Sequence, residues 1–347
     1  MGTVLYVATE HGVATVRQDG AGRWAETGRA LASWDVNEVT PDPAHPGTLY
    51  AATRGDGVWV STDGGAKWRK PNRGRPGPGK VRCLTLDPHR PGTLWAGTEP
   101  IGVWVSEDGG AHWRELDSVW DVGSVASTDY PVPAVEPHVR DIAIDPAHPD
   151  TVYAALQVGH IIRSTDRGAS WTLLSQGVDA DAHTIVLHPE HPERVYLATG
   201  GFDSRHGGAP GRALYRSPDG GEHWEPMAME FDNEYSVPLV MHPNDPQVLL
   251  AAVGIGQPPD WRKHPQGAQT RVIRSADGGR TWTDVGMDAP EAVRGFVEAF
   301  AYDPADPDNV YLSTRDGDLF GSADGGSHWT PLNVNVGDIS AMTAVQA

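Results

Sequence analysis

The sequence predicts an all-β fold, a seven-bladed β-propeller of four-stranded antiparallel blades, and three observations predict it. The phrase Ser-x-Asp-x-Gly-x-x-Trp occurs six times, at residues 61–68, 106–113, 164–171, 217–224, 275–282 and 322–329, and a degenerate seventh copy pairs Asp19-Gly20 with Trp24 and has Arg17 in place of the serine. The seven tryptophans are spaced by 44, 45, 58, 53, 58 and 47 residues, a period typical of propellers and solenoids. The ends of the chain are out of phase with the repeat: residues 2–9 read like the second strand of the other repeats, and residues 338–345 like the first.

One repeat shows how each element arises. Val81-Arg82-Cys83-Leu84-Thr85-Leu86, Thr93-Leu94-Trp95-Ala96-Gly97-Thr98, Gly102-Val103-Trp104-Val105-Ser106 and Trp113-Arg114-Glu115-Leu116 are short apolar or β-branched runs bounded by Gly, Pro or Asp, which is the signature of strands. A turn of the form [Asp/His]-Pro-x-x-Pro begins at Asp42, Asp87, Asp145, His188, His242 and Asp303 and joins strands one and two. Proline presets the turn dihedral and cannot donate to a ladder, so it belongs between strands.

A single domain over residues 1–347 is therefore expected. One blade is split between 1–27 and 338–347, and the others occupy about 36–70, 81–116, 139–174, 182–227, 236–285 and 297–332. Pairing the last strand with the first covers edges that an open array would expose.

Composition restricts the partners. A net charge of −19 argues against nucleic acid and anionic membrane surfaces. No stretch reaches the roughly 18 apolar residues of a membrane span, and no basic segment followed by an apolar core marks a signal peptide. Cys83 is the single cysteine, so no disulfide framework is expected. Together these favour a cytoplasmic location.

The repeated Ser-x-Asp-x-Gly-x-x-Trp resembles the Asp-box, or BNR, repeat of sialidases, xyloglucan-active hydrolases, the sortilin ectodomain and photosystem II assembly factor propellers. The resemblance covers nearly the whole chain. It implies that each box forms the turn between strands three and four, with Asp bonding to nearby amides, Gly at positive φ and Trp packed between blades. It speaks to fold rather than function, because the box is a folding device. The sialidase Phe-Arg-Ile-Pro pattern is absent, those enzymes have six blades, and the xyloglucanases have two propellers where this chain has length for one.

Residues that recur at one repeat position belong to the scaffold, and subtracting them isolates candidates for function. Of 15 histidines, nine sit in the turns or boxes, leaving His11, His138, His160, His183, His206 and His264. Trp34, Trp120 and Trp261 are the loop tryptophans. The connections 117–138, 200–212 and 254–271 exceed ordinary loop lengths and carry Trp120, Tyr130, His206 and Trp261 as candidate ligand contacts; decorated surface loops without a ligand are the plainer alternative. A metal site using His138, His160, His183 and Asp141 lacks any ligand spacing that supports it, so no metal or cofactor is expected.

Two positions break the repeat symmetry. The second residue of strand one reads Asn37, Arg82, Arg140, His183, Val237, Glu298 and Ser340, and the residue after strand two reads Glu10, Arg54, Glu99, Gln157, Gly200, Gly254 and Arg315. Arg54, Arg82 and Arg140 come from consecutive blades and suit a carboxylate or phosphate ligand at the mouth of the channel. The alternative is a salt-bridge ring in which Glu38, Glu99, Asp141 and Glu298 satisfy the arginines without a ligand.

Two functional classes follow. In the first, the chain is a glycosidase-like hydrolase of a small, anionic carbohydrate, with Glu298, Asp141 and Glu99 as candidate acid/base carboxylates, or Tyr235 or Tyr130 as nucleophile beside a carboxylate, and with Arg54, Arg82, Arg140, His183 and Arg315 as ligand contacts. In the second, it is a non-catalytic propeller that binds a protein or small molecule through the same face.

Overall fold

Seven antiparallel sheets succeed one another along the chain as the blades of a seven-bladed β-propeller. The computed structural model describes residues 2–125, 136–205, 213–230, 234–261, 263–265, 267–286 and 295–346. Six of these sheets have four strands; the seventh, Val36–Pro41, Leu49–Thr53 and Gly57–Ser61, has three, with a bridge from Val60 to Arg69 marking the fourth position. The C-terminal strand Ile339–Gln346 pairs antiparallel with Thr3–Thr9, in the register Val4↔Val345 and Tyr6↔Thr343, so both ends of the chain build one blade.

The chain divides into two compact units. The first comprises Met1–Ala51, Val60–Arg69 and Ala228–Ala347, and the second Ala52–Trp59 and Lys70–Met227. In the first unit one core joins Leu250, Val272, Phe296, Phe300 and Trp329, and another joins Leu5, Val16, Leu319, Ile339 and Met342. In the second unit the cores form around Trp95, Ile142 and Val152, and around Tyr153, Ile185 and Trp224. The second strands, such as Leu94–Thr98, Val152–Leu156 and Val310–Thr314, are buried at every position. A strand covered on both faces needs a continuous apolar run of small and branched residues, as these sequences supply.

The six Ser-Asp-Gly-Trp segments share one bonding scheme. The serine hydroxyl donates to the aspartate (Ser106 to Asp108, 3.0 Å) and accepts the amide of the glycine four residues on (Gly110, 2.9 Å), while the aspartate accepts the amide before the tryptophan (His112, 2.8 Å). Glycine is required at Gly326, where φ is +82° and a Cβ would come within 2.7 Å of Leu250. The indole N–H closes the turn by donating to the same glycine's carbonyl at Trp68, Trp113 and Trp329. Only the fourth-blade copy departs from the Gly-Gly pair: Arg167 takes the left-handed conformation, φ +58°, that glycine holds at Gly109 and Gly220, costing roughly 1 kcal/mol relative to glycine.

The turn between strands one and two uses Asp and His interchangeably for a physical reason. Asp87 and Asp303 accept the amide two residues on through Oδ1, at 2.9 and 2.8 Å. His188 and His242 accept the corresponding amides through Nδ1, at 3.2 Å each. A neutral imidazole with an open Nδ1 does the work of a carboxylate oxygen, and burial with the neighbouring His191 holds His188 below the usual histidine range.

Deleting residues 338–347 removes a whole strand from a blade, and the truncated protein should lose cooperative melting or melt at least about 10 °C lower by circular dichroism. Wild-type melting would refute the split blade. Burial alone would raise Asp277, but the Thr281 amide and hydroxyl, Ser275 and the Arg280 amide outweigh it and draw the carboxyl down to about 2. Its folded pKa lies below the unfolded value of about 3.9, so its contribution is complete above about pH 4 and lost as pH falls toward 2. Asp277→Ala should cost about 1 kcal/mol at pH 7, discounted for its exposure, and should flatten the acid limb of a stability–pH curve.

Candidate functional site

A β-bulge sets the side chains that break the repeat. Val81 pairs with Thr98 and Cys83 with Gly97, so Arg82 is the extra residue of its strand. The same step makes Arg140, His183, Glu298 and Ser340 the extra residues of theirs. A bulge re-aims its residue away from the regular alternation. A recurring backbone bond brings the second position alongside: the amide after strand two donates to the carbonyl two residues before the bulge, as in Glu99 to Lys80 (3.0 Å), Gln157 to His138 (3.0 Å), Gly200 to Asp181 (2.8 Å) and Arg315 to Phe296 (2.7 Å).

In the second unit this arrangement gathers cations around Glu99. That buried carboxylate lies 3.3 Å from Arg54, 3.4 Å from Arg82 and 3.8 Å from Lys80, and Lys80 also reaches Glu136 at 3.4 Å. Arg140 differs, making no hydrogen bond or ion pair among the described residues. The arginines therefore do not form a closed salt-bridge ring, and they do not all present free donors. In the next blade His183 is fully enclosed with Nε2 at 3.3 Å from Asp181. Gly200 beside it must lack a side chain, because a Cβ would lie 2.0 Å from the Asp181 carboxylate and 2.9 Å from the His183 ring.

His138 completes the cluster. Its Nδ1 lies 2.9 Å from the Glu136 carbonyl, and a carbonyl can only accept, so Nδ1 carries the proton and Nε2 offers a lone pair. That Nε2 is buried and has no hydrogen-bond partner among the described residues. Burial, then the nearby charges of Arg82 and Arg140, push the imidazole down to about 2, so it is neutral across the physiological range. The cluster thus offers an unpaired guanidinium and a buried acceptor.

In the first unit, Glu298 pairs with Arg315, and the Arg315 guanidinium lies 5.4 Å from the Trp261 ring centroid. Burial works against that guanidinium, but Glu298 and Tyr235 outweigh it and hold it charged. Trp261 offers no face for stacking a ligand: it is buried, parallel to Phe296 at 4.8 Å and edge-on to Tyr235 at 5.1 Å, with its indole N–H bonded to the Ile255 carbonyl.

Asp141 faces the neighbouring blade. Its carboxylate accepts the Ile185 amide at 2.8 Å, and burial pushes it up to about 6 despite the Ile185 and Ile142 amides. Trp120 stands on the short helix Asp117–Asp121 and is 43% exposed. Tyr130 and His206 lie outside the described residues. Among the described residues no group of three or more His, Cys, Asp or Glu is placed to hold a metal. Sequence reasoning missed Lys80 and Asp181, each two residues before a bulge; that spacing in an extended segment puts both on the same face as the bulge residue, which was the available signal.

The geometry can be set beside known proteins. Residues 159–263 match the Sortilin-Vps10 family (Sortilin, neurotensin receptor 3). A xyloglucanase of Paenibacillus sp. is 27% identical over 160 residues, which is 42% of this chain and 14% of that enzyme. The GH74 xyloglucanase of Xanthomonas campestris superposes with a TM-score of 0.70 at 20% identity, covering 96% of this chain and 53% of that one. YCF48 bound to D1 peptide superposes with a TM-score of 0.56 at 17% identity, covering 87% and 84%. The chain thus spans about half the length of the Xanthomonas enzyme, and at these identities the superpositions show the fold alone. No helix among the described residues is long and apolar enough to cross a membrane.

Glu99→Ala would leave Arg82, Arg54 and Lys80 without their shared anion and should cost about 2 kcal/mol by urea denaturation, less than for a fully buried pair because Arg54 and Lys80 are part-exposed. An unchanged midpoint would mean that the three cations are satisfied elsewhere. The raised pKa of Asp141 predicts a stabilising term present below about pH 4 and lost as pH rises through about 6. Asp141→Asn should therefore be no less stable than wild type at pH 7.5, and its stability relative to wild type should rise between pH 4 and 7.

Proposed function

We propose that this chain is a non-catalytic binding propeller whose second-unit cluster, Arg54, Arg82, Arg140 and His138, takes a small carboxylate-bearing ligand, with an acidic sugar as the best fit. One observation carries the reading. Each carboxylate considered for acid/base work is already engaged: Glu99 by three cations, Glu298 by Arg315 and Asp141 by backbone amides. Arg140 and His138 Nε2, by contrast, have no partners among the described residues. A guanidinium suits the carboxylate, and the neutral His138 acceptor suits a sugar hydroxyl donor. The binding of a D1 peptide by a propeller of the same fold is compatible with a non-catalytic role.

A glycosidase-like activity is the second reading. It is favoured by the similarity to xyloglucanases and by the Asp141 carboxyl, raised to about 6 where a general acid is useful. For that role Asp141 would have to give up the Ile185 amide.

Calorimetric titration separates the two. Galacturonate should bind and galactose should not, and Arg140→Ala should weaken galacturonate by about ten-fold or more; equal binding of both sugars, or of both proteins, would sink the proposal. Incubation with xyloglucan oligosaccharides should release no reducing ends above buffer. Release that vanishes in Asp141→Asn would establish the second reading instead.

A further inference from the structure

A cavity lies on the side of the Ser-Asp-Gly-Trp turns, between the third and fourth blades, in the second unit. In two other blade pairs a tyrosine on strand two ties the blade to its neighbour: the Tyr6 hydroxyl donates to the Gly64 carbonyl at 2.6 Å, and the Tyr153 hydroxyl to the Gly220 carbonyl at 3.2 Å. Between the third and fourth blades both partners have changed. Trp95 stands at the tyrosine position and Arg167 at the glycine position. The indole N–H is buried and makes no hydrogen bond among the described residues.

Where the tie is missing there is a cavity of about 300 Å³, walled by Trp95, Val105 and Leu116 and edged by Arg90, Arg114 and Arg167. Its floor is fixed. The Arg167 guanidinium lies 5.6 Å from the Trp95 ring centroid and is anchored by Asp87 at 2.8 Å and the Pro149 carbonyl at 2.7 Å. Arg167 keeps the left-handed backbone of the glycines it replaces, a conformation that a non-glycine side chain adopts only at a cost. Arg114 is exposed and makes no hydrogen bond or ion pair among the described residues, and Arg90 is held only by Asp150 at 3.6 Å. Of the two carboxylates at the cavity, Asp166 is committed to Ser164 and Ser170, and Glu107 is exposed to solvent.

We propose that this cavity binds a small carboxylate, with its anion on Arg114 and Arg90 and its body in the space edged by Arg167. A carboxylate matches guanidiniums that lack a close internal partner. This site shares no residue with the cluster around Arg140.

Fluorine NMR titration with 4-fluorobenzoate tests it. Saturable shifts are expected with the wild type, binding at least about ten-fold weaker with Arg114→Glu, and a smaller loss with Arg90→Ala, which lies on an exposed turn and reads the same site if Arg114→Glu fails to fold. The neutral 4-fluorobenzamide should bind at least about ten-fold more weakly than the acid. Absence of saturable binding, or indifference to both arginine variants, would overturn the assignment.

Discussion

One serine hydroxyl in each of six blades carries the turn on which the rest of the blade depends. It donates to the aspartate two residues on and accepts the glycine amide four residues on, as at Ser164, where those distances are 2.7 Å and 2.7 Å. Without that acceptor a buried amide would be left unpaired beside the apolar core, which costs more than the bond itself contributes. Because the turn is closed locally, strand four returns to strand three at a fixed place and the glycine can pack directly on a neighbouring side chain. A conserved scheme of bonds in the turn thus leaves the opposite ends of the strands free to vary in chemistry.

That freedom is used at the bulge. Five blades carry the extra residue at the second position of strand one, and the backbone bond from the end of strand two brings a second side chain beside it. Two blades fill this pair with opposite charges in opposite order, Arg82 with Glu99 and Glu298 with Arg315. A third uses His183 with Gly200, where the glycine makes room for Asp181. One backbone device therefore presents an ion pair, its reverse, or an enclosed imidazole, according to sequence alone. Arg140 beside Gln157 is the variant in which the cation makes no ion pair among the described residues, in a protein whose net charge is −19.

The Trp95–Arg167 substitution shows the same logic on the other side. A tyrosine–carbonyl bond that joins blades elsewhere is replaced by a cation over an indole, and the change opens space instead of closing it. Both departures are local edits of a regular frame, and each leaves polar groups whose partners the frame does not supply.

The fold class and the blade shared by both termini were legible in the sequence because they rest on short-range, repeated chemistry. Ser, Asp, Gly and Trp at fixed spacing determine a turn, and two chain ends that read as strands two and one determine how that blade is completed. The positions that break the repeat were also legible, since subtracting the scaffold leaves them visible. Their roles were not. Arg82, Arg140 and Arg54 look alike in sequence, yet two share Glu99 and one makes no ion pair among the described residues, because which carboxylate comes within reach is decided by the bulge and by the neighbouring blade. Asp141 reads as a site carboxylate but accepts an amide from the next blade, and Trp261 reads as a loop aromatic but packs on Phe296. Side-chain direction and burial depend on contacts between distant residues, and only the tertiary structure sets those.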